Sequence, residues 1–124
     1  MIGKIGTVVI DTADPWGLAR FYGELLGLEI VHQDGGWIEL GRPGSPEPVL
    51  SFQHAPDHQP PRWPDPDHPQ QFHLDIDIYG DIEEAEKKVL ALGATKLRDG
   101  EGTFRVYADP SGHPFCLCWG WQSR

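Results

Sequence analysis

The chain has 124 residues, with 19 Asp and Glu against 10 Lys and Arg, for a formal charge of −9 at neutral pH. The length fits one domain with a real core and excludes two independent ones. The acidic balance argues against nucleic acid or an anionic membrane surface as a partner, and no stretch has the apolar length of a membrane span.

The start, MIGKIGTVV, lacks a charged region, an apolar run and a cleavage site in that order, so the expectation is a soluble cytoplasmic protein. Residues 5 to 11, IGTVVID, read as a strand rich in β-branched residues. Asp14-Pro15 then supplies a helix N-cap and a proline at the first helical position. Leu18, Phe21, Tyr22 and Leu25 recur at helical spacing until Gly27, a C-cap residue. Leu28 to His32, Trp37 to Leu40 and Val49 to His54 read as three strands, parted by Asp34-Gly35-Gly36 and by the Gly-Pro-rich stretch Arg42 to Pro48. The order so far is βαβββ.

Ala55 to Pro69 is too rich in proline for a helix or an inner strand and reads as a linker. Its Trp63 is a large apolar ring that needs something to cover: its own domain, a partner subunit or a ligand. Gln71 to Ile78 then reads as a strand. Asp81 and Glu84 stand at capping-box spacing before a helix whose buried stripe is expected to be Ile82, Ala85, Val89 and Leu92. Thr95 to Arg98, Thr103 to Tyr107 and Pro114 to Trp119 complete the strands, with Asp109-Pro110-Ser111-Gly112 as a turn. This is βαβββ again, so the chain divides into a first module at 1–54, a linker at 55–69 and a second module at 70–124.

Cys116 and Cys118 lie one residue apart on one face of a strand, a poor arrangement for a disulfide, and read as thiols. Period-two alternation sorts the strands into two faces. One is apolar and expected against the helices: Val8, Ile10, Ile38, Leu40, Leu50, Phe52, Leu74, Ile76, Phe104, Val106, Phe115 and Leu117. The other mixes Thr7, Val9, Trp37, Glu39, Ser51, Gln53, His73, Asp75, Arg105, Tyr107, Cys116 and Cys118. Such a mixture suits a curved sheet lining a pocket, with apolar walls and a few placed polar groups, or else a sheet with one wet face.

A shift of 66 residues superimposes Ile10-Asp11 on Ile76-Asp77, Ala19 on Ala85, Leu26-Gly27 on Leu92-Gly93 and Thr7 on His73. With this repeat, the ADPWGLARFYGELLG helix, the FHLDI strand and the DPSGHPFCL ending, the chain resembles the vicinal oxygen chelate superfamily of glyoxalase and bleomycin-resistance domains. The resemblance implies an α+β fold in which two βαβββ modules form a concave mixed sheet with helices on its outer face. It also implies a homodimer.

Enzymes of that family hold a metal at four equivalent spots, usually on His, Gln or Glu. Carried over, those spots are Thr7, Gln53, His73 and Cys116, the second pair matched at a shift of 63. One imidazole, one amide and one thiol suit hard Mg²⁺ or Mn²⁺ poorly, and zinc sites normally have three strong protein ligands. The expectation is therefore no cofactor. If a divalent metal is present, it is held by His73, Gln53 and Cys116.

Three functions remain open. One is a metal-independent binder of a small molecule, of basic or polar character, in antibiotic or toxin sequestration; its contacts would be Trp37, Gln53, Trp63, His73, Asp75, Arg105, Tyr107 and Cys116. Another is a metal-dependent lyase, isomerase or dioxygenase with His73 or Glu39 as the proton-moving group. The third is an interaction module with a filled cup. His73 can equally be a pocket histidine bonded to Asp75 or Gln53, Cys116 a small buried hydrophobe rather than a nucleophile, and Glu39 and Arg105 a cross-strand salt bridge.

Overall fold

The computed structural model describes residues 1–121. By backbone contacts the chain forms two compact units, Met1–His58 and a second from Gln59 onward, so the Trp63 segment belongs to the second. No helix among the described residues is long and apolar enough to cross a membrane.

The first unit contains β1 (Val8–Thr12), α1 (Pro15–Leu26), β2 (Glu29–Asp34), β3 (Trp37–Gly41) and β4 (Pro48–His54). Its sheet has the order β1-β4-β3-β2, with β1 parallel to β4 and the other pairs antiparallel. Asp14 caps α1 by accepting a hydrogen bond from the Gly17 amide at 3.0 Å, which satisfies a donor that the helix itself cannot. The helix ends at Gly27, whose φ of 66° is the left-handed cap that glycine adopts without strain. Pro15, Leu18, Ala19, Phe21 and Tyr22 are buried. Tyr22 stacks on Phe52 of β4 at 5.8 Å, and Ile38 and Leu40 close the same layer.

The second unit contains β5 (Leu74–Asp77), α2 (Ile82–Ala91), β6 (Thr95–Asp99), β7 (Phe104–Ala108) and β8 (Pro114–Cys118), in the order β5-β8-β7-β6. Here β5 runs parallel to β8. Asp81 caps α2 through the Glu84 amide, as the capping-box spacing implies. The expected stripe is only partly realised, because Val89 is buried while Leu92 is 38% exposed.

The second sheet also reverses one expected face. Asp109 Oδ1 accepts hydrogen bonds from the amides of Ser111 and His113, and the Asp109 amide donates to the His113 carbonyl. Gly112, at φ 93°, completes this turn. The closure sets Ala108 opposite Pro114, and hence Tyr107 opposite Phe115 and Val106 opposite Cys116. Residues directly opposite share a face, so Tyr107 joins Phe115 on the helix side, ring to ring at 5.5 Å. Arg105 and Tyr107 therefore face α2, while Phe104 and Val106 take the other side. The alternation of β7 suggests the opposite because Phe104 and Val106 occupy the even positions.

Candidate ligand site in the second module

His73 immediately precedes β5, and Asp75 lies one step into the strand. The parallel register places Asp75 beside Cys116, while β7 brings Val106 to Cys116 and Phe104 to Cys118. The proline-rich segment supplies the remaining wall. The Arg62 amide donates to the His68 carbonyl at 2.7 Å and the Asp65 amide to the Arg62 carbonyl at 2.8 Å, so the segment folds into a closed loop that carries Trp63. Space under that loop is tight, since a Cβ on Gly112 would come within 2.7 Å of Pro60.

A cavity of about 740 Å³ results, walled by Trp63, Phe104, Val106 and Trp119, with His73, Asp75 and Cys116 among its polar groups and Arg98, Asp99 and Glu101 along β6 and the loop after it. That volume and mixture match small-molecule sites.

His73 Nε2 lies 3.1 Å from Asp75 Oδ1, with both side chains partly solvated. Cys116 is only 8% exposed. Burial pushes its thiol up to about 12, and the charges of Asp75 and Cys118 and a hydrogen bond with Asp75 push the same way. A thiol so protonated is not a nucleophile at neutral pH.

One donor atom from each of His73, Asp75 and Cys116 lies within 4.8 Å of the others. This set of nitrogen, oxygen and sulfur fits Zn²⁺ and suits a hard ion poorly. The three side chains would hold zinc from one side of the cavity. Such an ion, when bound, supplies Lewis acidity or an ionised water. Asp75 thus takes the place expected for Gln53, which lies exposed on β4 of the first unit.

Other expected site residues have different surroundings. In the first unit Trp37 donates from Nε1 to Glu39 Oε2 at 3.1 Å, so Glu39 bonds within its own sheet. Thr7 Oγ1 lies 2.8 Å from Ser51 Oγ. In the second unit Arg105 pairs with Glu83 and Glu86 of α2 at 2.6 and 3.1 Å and approaches Asp99 at 3.7 Å. Tyr107 is fully buried and donates to Glu86 at 2.9 Å. Burial, reinforced by Glu86, raises the Tyr107 phenol far above its ordinary range. Neither Arg105 nor Tyr107 lines the cavity.

Sequence reasoning missed Phe104, Val106, Arg98 and Trp119 as lining residues. Counting the register back from the turn would have found the first two. Trp121 donates from Nε1 to the Ile78 carbonyl at 2.8 Å and packs on Tyr79.

A family model described as a glyoxalase-like domain matches residues 7–118. Comparison with curated proteins gives no match. Among solved structures, the chain is similar to a glyoxalase-related enzyme from Fulvimarina pelagi, with 19% identity and a TM-score of 0.69 over 96% of this chain and 89% of that one. It is similar to a glyoxalase/bleomycin resistance protein/dioxygenase family enzyme from Burkholderia phytofirmans PsJN, with 19% identity and a TM-score of 0.65 over 92% and 96%. The trypanothione-dependent glyoxalase I of Leishmania major shares 18% identity and a TM-score of 0.68 over 98% and 89%. At these identities the likeness is one of fold, two four-stranded mixed sheets each with a helix, and with the match across nearly the whole chain it establishes that the protein belongs to the glyoxalase-like domain family.

Proposed function

We propose that this protein binds a small molecule in the second-module cavity without needing a metal, in the manner of a sequestering protein. The observation that carries the reading is the cavity of about 740 Å³ beside His73, walled by Trp63, Phe104 and Trp119. Aromatic walls supply most of the contact area, and a few polar groups fix orientation. The same cavity weighs against an interaction module with a filled cup. One feature of the donor set favours independence from metal: Thr7, at the first of the expected ligand spots, is a poor metal donor and bonds to Ser51.

A thermal-shift screen across compound classes, followed by calorimetric titration of the hits, tests the reading. Ligands that raise the melting temperature of the parent protein and lose their effect in Phe104→Ala support it. An absence of hits across all classes overturns it.

A second reading, a metal-dependent lyase, isomerase or dioxygenase, draws support from the approach of His73, Asp75 and Cys116 to one another. Metal analysis separates the two. Near one equivalent of zinc, lost in His73→Ala and Cys116→Ala, favours the enzyme. Less than about half an equivalent, with no thermal response to added Zn²⁺, Ni²⁺ or Mn²⁺, removes it.

A further inference from the structure

The side chain of Arg98 lies with its guanidinium carbon 4.5 Å from the centre of the Trp63 ring, within the range at which a cation is attracted to an indole face. Both residues line the same cavity. Among the described residues Arg98 has no ion-pair partner, although Asp75, Asp99 and Glu101 lie along that cavity. Asp99 is already taken by Lys96 at 2.6 Å. The indole face is therefore where the Arg98 cation settles.

Trp119, at the edge of the cavity, has the guanidinium of Arg105 at 5.9 Å from its ring. That cation is fixed by Glu83 and Glu86 and cannot leave easily. Arg98 differs, because it is exposed and reaches Trp63 on a long flexible stem. It can swing into water when another cation offers the ring a better fit.

We propose that the cavity selects flat aromatic cations, amidinium or guanidinium compounds, which displace Arg98 from Trp63. The ligand ring would lie between Trp63 and Phe104, and its cationic group would face the carboxylates of Asp75 and Glu101. Of the three carboxylates that line the cavity, Asp99 is taken by Lys96, so once Arg98 swings out Asp75 and Glu101 leave a field that favours a positive guest. This inference rests on the small-molecule reading above and names its ligand class.

Benzamidinium, neutral benzamide and anionic benzoate have nearly the same shape and differ in charge. Titration of each, followed calorimetrically and by tryptophan fluorescence, is expected to rank benzamidinium at least tenfold tighter than benzamide, with benzoate weakest. Arg98→Met should tighten benzamidinium about threefold by removing the competing cation, whereas Trp63→Leu should weaken it at least tenfold. Equal affinity for benzamidinium and benzamide would overturn the proposed class and leave the binding function standing. Benzoate binding tightest, and lost in Arg98→Met, would overturn it in favour of an anion anchored by Arg98. Failure of all three probes while other compounds bind also removes the class, and failure of every compound removes the binding function with it.

Discussion

In the first module Tyr22 of α1 stacks on Phe52 of β4, whereas in the corresponding layer of the second Arg105 and Tyr107 meet Glu86 of α2. Five residues of α1 are buried but only Val89 of α2. The same strand order thus tolerates two ways of fixing a helix to a sheet, one by apolar packing and one by an ionic layer. Glu86 bonds to Lys96 at 3.0 Å, to Tyr107 and to Arg105, so its carboxylate is shared among three donors. Burial alone would raise its pKa. The hydrogen bonds from Lys96 and Tyr107 and the charges of Lys96 and Arg105 outweigh that and lower it.

The largest contrast should come from truncating the apolar layer. Tyr22→Ala empties a space between Phe21 and Phe52 and is expected to cost about 4 kcal/mol in urea unfolding, against about 2 kcal/mol for Val89→Ala. Equal losses would erase the distinction between the layers.

Glu86→Gln comes next, with an expected loss of about 2 kcal/mol near neutral pH from uncharging a carboxylate that serves three donors. Because the folded-state pKa of Glu86 is lowered, its contribution is fully present above its ordinary value of 4.5 and disappears as the pH falls below it. The gap in urea midpoint between the parent and Glu86→Gln should therefore shrink on acidification from about pH 6 to about pH 3. A gap independent of pH would mean that the carboxylate charge contributes nothing.

Tyr107→Phe removes one hydrogen bond and should cost about 1 kcal/mol while leaving ligand affinity unchanged. Weakened binding would return Tyr107 to the cavity side and contradict the observed register. The smallest effect concerns Cys116. With its thiol pushed up to about 12, alkylation of the folded protein at pH 7.5 should leave Cys116 unmodified, as peptide mass mapping would reveal; rapid modification there would require a thiolate.

The comparison also explains what could be read in the sequence. Both βαβββ orders, both N-caps and the Gly27 terminus follow from local signals, since Asp14-Pro15, Asp81 with Glu84, and Leu26-Gly27 act on their own neighbours. His73 and Asp75 were legible as neighbours because alternation keeps residues two apart on one face. The face of β7 was not. FRVYA alternates as though Phe104 and Val106 faced the helix, but the phase is set across the turn by Asp109, and the ionic partners of Arg105 lie on a helix about twenty residues earlier. Trp63 was recognised as needing a surface, yet nothing local gives the path of a proline-rich loop. Its hydrogen bonds to itself, and Pro60 against Gly112, place the ring at the cavity.

Under the proposed function, ligand binds in the second-module cavity, on the sheet face opposite the ionic layer. The most direct test is a two-dimensional ¹H–¹⁵N NMR titration of the labelled protein with a hit from the thermal-shift screen. The largest shifts are expected at the indole group of Trp63 and at the amides of Phe104 and Val106, with little change at Trp37 in the first module. Shifts centred on Trp37 and Glu39, with the Trp63 indole unmoved, would contradict the claim.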